Sequence, residues 1–207
     1  NACWHAFTNA ILIDLRIVGI IISAATITII CIRIIKREVS CAKTLQSLLI
    51  YLLFLIAMVM AFWPYLWSNP YNNFLTAFER MADYPWKGSV LYLGKEIRAS
   101  EIPWHYVPVW IFITTPLIYI LFFVSGCGAI IRKTVSNRFR IWNNDNELQD
   151  VIFIAFFIVP IIAVIVTEAV LYDGWRQMYF VYPAFLMIAL RGFVLFFKWR
   201  PPVLQKT

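Results

Sequence analysis

The chain has 207 residues, of which 62% are hydrophobic, 17% aromatic and only 14% charged, and its mean hydropathy of +0.75 is far above that of a soluble domain of this length. So much apolar surface excludes an ordinary water-soluble core. The net charge of +7 does not point to nucleic acid, because the basic residues lie in short clusters at the ends of apolar runs, where lipid headgroups account for them.

About 20 apolar residues in helical form cross the hydrocarbon core of a bilayer. Taken in order, the spacing predicts spanning helices near 11–32, 45–67, 107–124, 151–171 and 178–197. The first is rich in Ile and Thr, a strand-favouring composition in water. An open strand in lipid would leave its backbone groups unpaired, so helix is expected. Pro64, Pro108, Pro116, Pro160 and Pro183 fall in or beside these runs, and kinks are expected there. The expected fold class is all-α: a multi-pass transmembrane bundle of about five helices, read as one transmembrane domain over 1–207.

Charge asymmetry sets an expected orientation. The connectors 33–44 and 125–150 and the C-terminal tail carry Arg33, Lys36, Arg37, Lys43, Arg132, Lys133, Arg138, Arg140, Arg191, Lys198, Arg200 and Lys206. The other side carries Arg16, Arg80, Lys87, Lys95, Arg98 and Arg176, with Asp14, Glu79, Asp83, Glu96, Glu101, Glu168 and Asp173. The positive-inside rule makes the first set cytoplasmic, so the N-terminal end is expected outside, the C-terminal end inside, and the loop 68–106 extracytoplasmic. Within that loop Asn69 is a helix cap before Pro70, and Tyr71, Phe74, Leu75, Phe78, Met81 and Ala82 recur at helical spacing, which predicts an amphipathic helix at the membrane surface. Tyr84-Pro85-Trp86-Lys87-Gly88-Ser89 then reads as a turn, and Val90–Gly94 as a short strand or extended segment.

No phosphate-binding loop, zinc-protease motif or serine-hydrolase elbow is present, His5 and His105 are the only histidines, and no ligand cluster argues for a metal. Cys3, Cys31, Cys41 and Cys127 lack metal-ligand spacing and read as small apolar core residues. What remains is a group of charges at helix ends on the expected outer side, where a functional role is the default hypothesis. Asp14 and Arg16 stand at the entrance of the first helix, Glu168 near the end of the fourth, and Asp173 and Arg176 in the hairpin between the fourth and fifth. Arginine's planar fork suits phosphate, and Trp175, Tyr179 and Tyr182 are candidates to stack on a sugar or line a lipid tail. The competing reading is simple pairing of Asp14 with Arg16 and of Asp173 with Arg176. In Pro103–Trp110, His105 sits within an aromatic belt, as a phosphate ligand, a proton carrier or a structural residue.

Three segments carry a resemblance. They are Trp63-Pro64-Tyr65-Leu66-Trp67; the stretch from Tyr84-Pro85-Trp86 through Leu91-Tyr92-Leu93-Gly94 to Glu101-Ile102-Pro103-Trp104-His105-Tyr106; and Leu171-Tyr172-Asp173-Gly174-Trp175-Arg176-Gln177-Met178-Tyr179-Phe180-Val181-Tyr182-Pro183. In order and spacing the chain resembles the C-terminal part of the membrane module of bacterial GT-C glycosyltransferases of the protein O-mannosyltransferase and aminoarabinose transferase type. The resemblance implies a bacterial plasma-membrane enzyme that moves a sugar from a polyprenyl-phosphate carrier to a protein or glycan acceptor on the extracytoplasmic face. It implies Arg176 near the carrier phosphate, oriented by Asp173, Arg16 as a second phosphate ligand, His105 at the pocket rim and Tyr179 among the donor-binding residues. The family's catalytic acid lies in a loop that no segment here matches, so the catalytic residues are expected in a missing N-terminal half of the same protein, and this portion is expected to be inactive alone. No cofactor is evident, and a divalent cation has no supporting ligands. Two other functions fit interfacial charges: a transporter or flippase of lipid-linked sugar, and a non-catalytic scaffold.

Overall fold

The structure is a computed structural model and describes residues 2–82, 86–136 and 142–198. The expected turn at Tyr84-Pro85, and Arg138, Arg140, Arg200 and Lys206 of the charges expected on the cytoplasmic side, lie outside the described residues. The chain is an all-α, multi-pass membrane protein. Among the described residues, five helical segments have the length and composition to cross a bilayer: Ile17–Ile35, Cys41–Phe62, Leu117–Ser136, Asp145–Val166 and Arg176–Lys198. Contacts divide the chain into two compact units, Asn1–Asp83 and Tyr84–Thr207, each with its own apolar core; the sequence reading treats them as one domain.

In the first unit, α1 (Ala2–Leu15), α2 (Ile20–Ile35) and α3 (Cys41–Phe62) are followed by α4 (Pro70–Ala82). The apolar run expected as one helix over 11–32 is broken. Arg16 is extended (φ −153°, ψ 120°) and opens a 3-10 turn, Ile17–Gly19, that restarts the helix. Gly19 allows this tight turn, because a Cβ there would lie 2.8 Å from the Leu12 carbonyl carbon. Asp14 and Arg16 therefore flank a break between two helices rather than the entrance of one. Ala6, Ala10 and Ile13 of α1 pack on Leu48, Tyr51, Leu55 and Val59 of α3.

Polar groups bind these three helices together. Buried Asn9 donates through Nδ2 to Tyr51 Oη (2.8 Å), and Tyr51 donates to Ser23 Oγ (3.0 Å). Beside this chain His5 Nε2 lies 3.0 Å from Thr26 Oγ1 and its ring stacks on Tyr51 at 5.3 Å. Between membrane helices such hydrogen bonds replace the hydrophobic driving force that lipid does not supply.

The helix expected in the loop is α4, capped as its sequence implies: Asn72 N donates to Asn69 Oδ1 at 3.4 Å and Asn73 N to Asn69 O at 2.9 Å. Phe74 packs edge-on against Trp63 at 6.3 Å. Tyr71, Leu75, Phe78 and Met81 remain exposed along one face, the disposition of an interfacial helix.

The second unit begins with a two-stranded antiparallel hairpin, β1 (Ser89–Tyr92) and β2 (Lys95–Arg98). The sequence marks the first strand only, since Lys95-Glu96-Ile97-Arg98 offers a single apolar residue. Leu93 (φ 50°) and Gly94 (φ 77°) are both left-handed, which joins the strands with the twist that a two-residue hairpin needs. Next come α5 (Tyr106–Thr114), α6 (Leu117–Ser136), α7 (Asp145–Val166) and α8 (Tyr182–Lys198), the last preceded by a 3-10 turn at Arg176–Val181. The span expected at 107–124 is split. Thr115, the residue before Pro116, is extended (φ −95°, ψ 132°) and ends α5, after which α6 runs to Ser136.

The connector expected over 125–150 is shorter for the same reason, and α7 starts at Asp145. It ends at Val166, short of the expected Leu171, where Glu168 turns left-handed (φ 50°) and Ala169 N donates back to Val164 O at 3.1 Å. Of the prolines expected to kink helices, only Pro160 lies in a helix interior. Pro108 and Pro183 occupy first turns, while Pro64 and Pro116 stand at breaks.

The helices α6 and α8 cross at Gly126 and Gly192. A Cβ on Gly126 would collide with the Ile188 carbonyl oxygen, and one on Gly192 with that of Phe122; two backbones meet here as small residues permit in membranes. Phe123, Phe157 and Phe185 fill the space around this crossing, with Phe123 stacked on Phe185 at 4.4 Å. Next to Gly192, Arg191 reaches from α8 to Asp150 in the first turns of α7 at 3.0 Å. Lys133 pairs with Glu147 at 3.2 Å. The expectation that cysteines are core residues fails: Cys3, Cys31 and Cys41 are exposed and Cys127 is half-buried, all four as free thiols.

Candidate functional site

One end of the second unit gathers most of the chemistry. Alternation along β1 turns Val90 and Tyr92 inward, both nearly buried, and leaves Ser89 and Leu91 on the other face. The hairpin closes at its base, where Ala99 N donates to Gly88 O at 3.1 Å. Its inner face is held against the start of α5: Tyr92 Oη lies 2.7 Å from His105 Nδ1 and its ring 4.9 Å from that of Tyr106. Desolvation raises the Tyr92 phenol above its ordinary pKa of 10.0, so this hydroxyl is protonated at neutral pH.

Between α7 and α8 the chain turns through Asp173 (φ 56°) and Gly174 (φ 68°). Asparagine, aspartate and glycine tolerate this backbone best. Two hydrogen bonds, the first buried and the second half-buried, fix the turn to α5. Gly174 N donates to Tyr106 Oη at 3.1 Å, and Trp175 Nε1 donates to Thr114 Oγ1 at 2.9 Å. Tyr106 is 1% exposed, so it reaches the turn from within the core. With its neighbours anchored, Arg176 projects outward with its side chain 74% exposed, and Nη1 lies 3.7 Å from Asp173 Oδ2. An exposed pair at that distance contributes little to stability, which leaves the guanidinium able to take another anion.

These elements enclose a cavity of about 390 Å³. Trp86, Trp110, Trp175 and Tyr106 supply aromatic wall, and Asp173, Arg176 and Tyr179 line it as well. Three of the five residues singled out from sequence thus share one cavity. His105 does not line it; it stands behind, bonded to Tyr92. Arg16 belongs to the first unit, in the turn between α1 and α2. The sequence reading missed Trp110 and Thr114, because both sit inside an apolar helix where an aromatic belt explains a tryptophan. Their signal is the four-residue spacing that puts Tyr106, Trp110 and Thr114 on one face of α5.

A second cavity, of about 280 Å³, lies between the segment Ala99–Val107 and the end of α7, and Tyr106 lines both cavities. Among the described residues no three His, Cys, Asp or Glu side chains are grouped to hold a metal ion. No family model, curated protein or solved structure matches the chain.

Proposed function

We propose that the chain supplies the carrier-binding part of an integral membrane glycosyltransferase, which moves a sugar from a polyprenyl-phosphate carrier to an acceptor. The observation that carries this reading is the aromatic-walled cavity that Arg176 and Asp173 line at the end of apolar helices. A lipid-linked sugar phosphate needs three things at once: hydrocarbon for its tail, a cation for its phosphate and flat aromatic surface for its sugar. Membrane-length helices, Arg176 and the tryptophan walls answer these in turn. The order of the Trp-Pro-Tyr-Leu-Trp, Pro-Trp-His-Tyr and Tyr-Asp-Gly-Trp-Arg segments supports the same class. In this reading the cavity opens on the extracytoplasmic side of a bacterial plasma membrane, as the charge asymmetry favours. Asp173 orients the guanidinium and Tyr179 adds surface for the donor; the acid or base of the transfer step is assigned to no residue of this chain.

Membranes containing the full-length protein of which this chain is the carrier-binding part test the reading, with labelled polyprenyl-phosphate sugars as donors. Replacing Arg176 by Ala removes a charge-assisted hydrogen bond to phosphate and lowers transfer by about tenfold or more, with a smaller loss for Asp173→Asn. Unchanged transfer in both variants overturns the site. Absence of transfer with every donor overturns the enzyme reading, and movement of intact lipid-linked sugar across the membrane would then identify a transporter.

A further inference from the structure

The second cavity has a chemistry unlike the first. Glu101 and Glu168 both line it, Ser100 adds a hydroxyl, and Trp104, a residue 69% exposed, adds an aromatic ring. The remaining wall is apolar, with Ile165 of α7 among its residues. Glu101 has a partner in Arg98 at 3.7 Å, with both side chains mostly in solvent. Among the described residues the Glu168 carboxylate has no ion pair or hydrogen bond.

An ionised carboxylate only accepts hydrogen bonds. An occupant must therefore bring donors, and it must not be an anion, which two carboxylates repel. It must also offer a flat, weakly polar face to Trp104. A sugar ring has both: hydroxyls around its edge and C–H bonds on its face, the combination of a few placed polar groups on an apolar wall by which small-molecule sites work.

We propose that this cavity is a binding site for a neutral saccharide, held by stacking on Trp104 and by hydroxyl donation to Glu168 and Glu101. Tyr106 stands between it and the cavity of Arg176. Naming this saccharide as the glycosyl acceptor rests on the proposed function; the binding site itself does not.

The test uses the whole chain in lipid nanodiscs and saturation-transfer NMR, with methyl α-glucopyranoside and methyl α-galactopyranoside as neutral probes and glucosamine as a cationic one. Transfer to ring protons of a neutral probe is expected, weakened about tenfold in Trp104→Ala and to a similar degree in Glu168→Gln, which keeps the shape of the side chain. Both residues are exposed, so the core is untouched. No transfer to either neutral probe, transfer to glucosamine alone, or equal transfer in wild type and both variants would overturn the proposal. Polyprenyl phosphate binding, read on the same wild-type sample, reports on the other cavity. If it is absent while the sugars bind, the proposed function fails and the saccharide site stands.

Discussion

Replacing Tyr106 by Phe removes one oxygen and tests how the candidate site is held. That hydroxyl accepts the Gly174 N–H at 3.1 Å, and both residues are buried. Phenylalanine keeps the ring, and with it the packing on Tyr92 and Trp110, but strands a buried donor in a turn whose two central residues are left-handed. An unsatisfied buried N–H costs about 1–3 kcal/mol, which is roughly 5- to 150-fold in the local opening equilibrium. Hydrogen exchange in nanodiscs reads this directly: peptides covering 172–178 exchange faster by that factor, while peptides from α7 do not change. Because Asp173 and Arg176 ride on the same turn, polyprenyl phosphate binding weakens in parallel. Equal exchange at 172–178 in wild type and variant would refute the claim that Tyr106 fixes the turn.

Three further substitutions probe the scaffold. Gly192→Leu forces a side chain onto the Phe122 carbonyl and costs about 1–3 kcal/mol or more as overpacking, visible as a lower unfolding temperature in detergent; an unchanged temperature would contradict the close crossing of α6 and α8. Tyr51→Phe breaks the Asn9–Tyr51–Ser23 chain and costs about 0.6–2 kcal/mol, measured in the same assay, with no loss as the contrary result. Leu93→Asn gives the turn an Asn-Gly pair suited to two left-handed residues and stabilises the hairpin by up to about 1 kcal/mol, seen as slower exchange over 89–98; faster exchange there would contradict the turn geometry.

Much of this architecture is legible in the residues. Hydropathy alone locates five spans, since lipid demands long helices of any chain that crosses it, and Asn69 with Pro70 marks a helix start that the structure keeps. The breaks were less visible. The apolar run through Ile11–Ile32 hides the break at Arg16 because lipophilicity does not distinguish one helix from two; the extended backbone of Arg16 and the close approach of Gly19 to Leu12 show it. Pro116 predicts a kink from sequence, yet the restriction that proline places on its predecessor Thr115 goes further and ends the helix. By sequence Arg191 belongs with the topology charges, whereas the structure pairs it with Asp150, a helix-to-helix contact that needs tertiary information to find. At the site, Asp173, Arg176 and Tyr179 come from one short segment and were visible together. Trp110 and Thr114 were not, because they join the site only when α5 packs on the turn.

The central claim is that the Arg176 cavity holds a lipid-linked phosphate. Native mass spectrometry of the chain in nanodiscs measures it, comparing polyprenyl phosphate with the uncharged polyprenol of equal length. The phosphate is expected to bind more tightly in the wild type, and Arg176→Ala to remove about tenfold of that preference by loss of a charge-assisted hydrogen bond. Equal binding of phosphate and alcohol, or a preference unchanged in Arg176→Ala, would contradict the account.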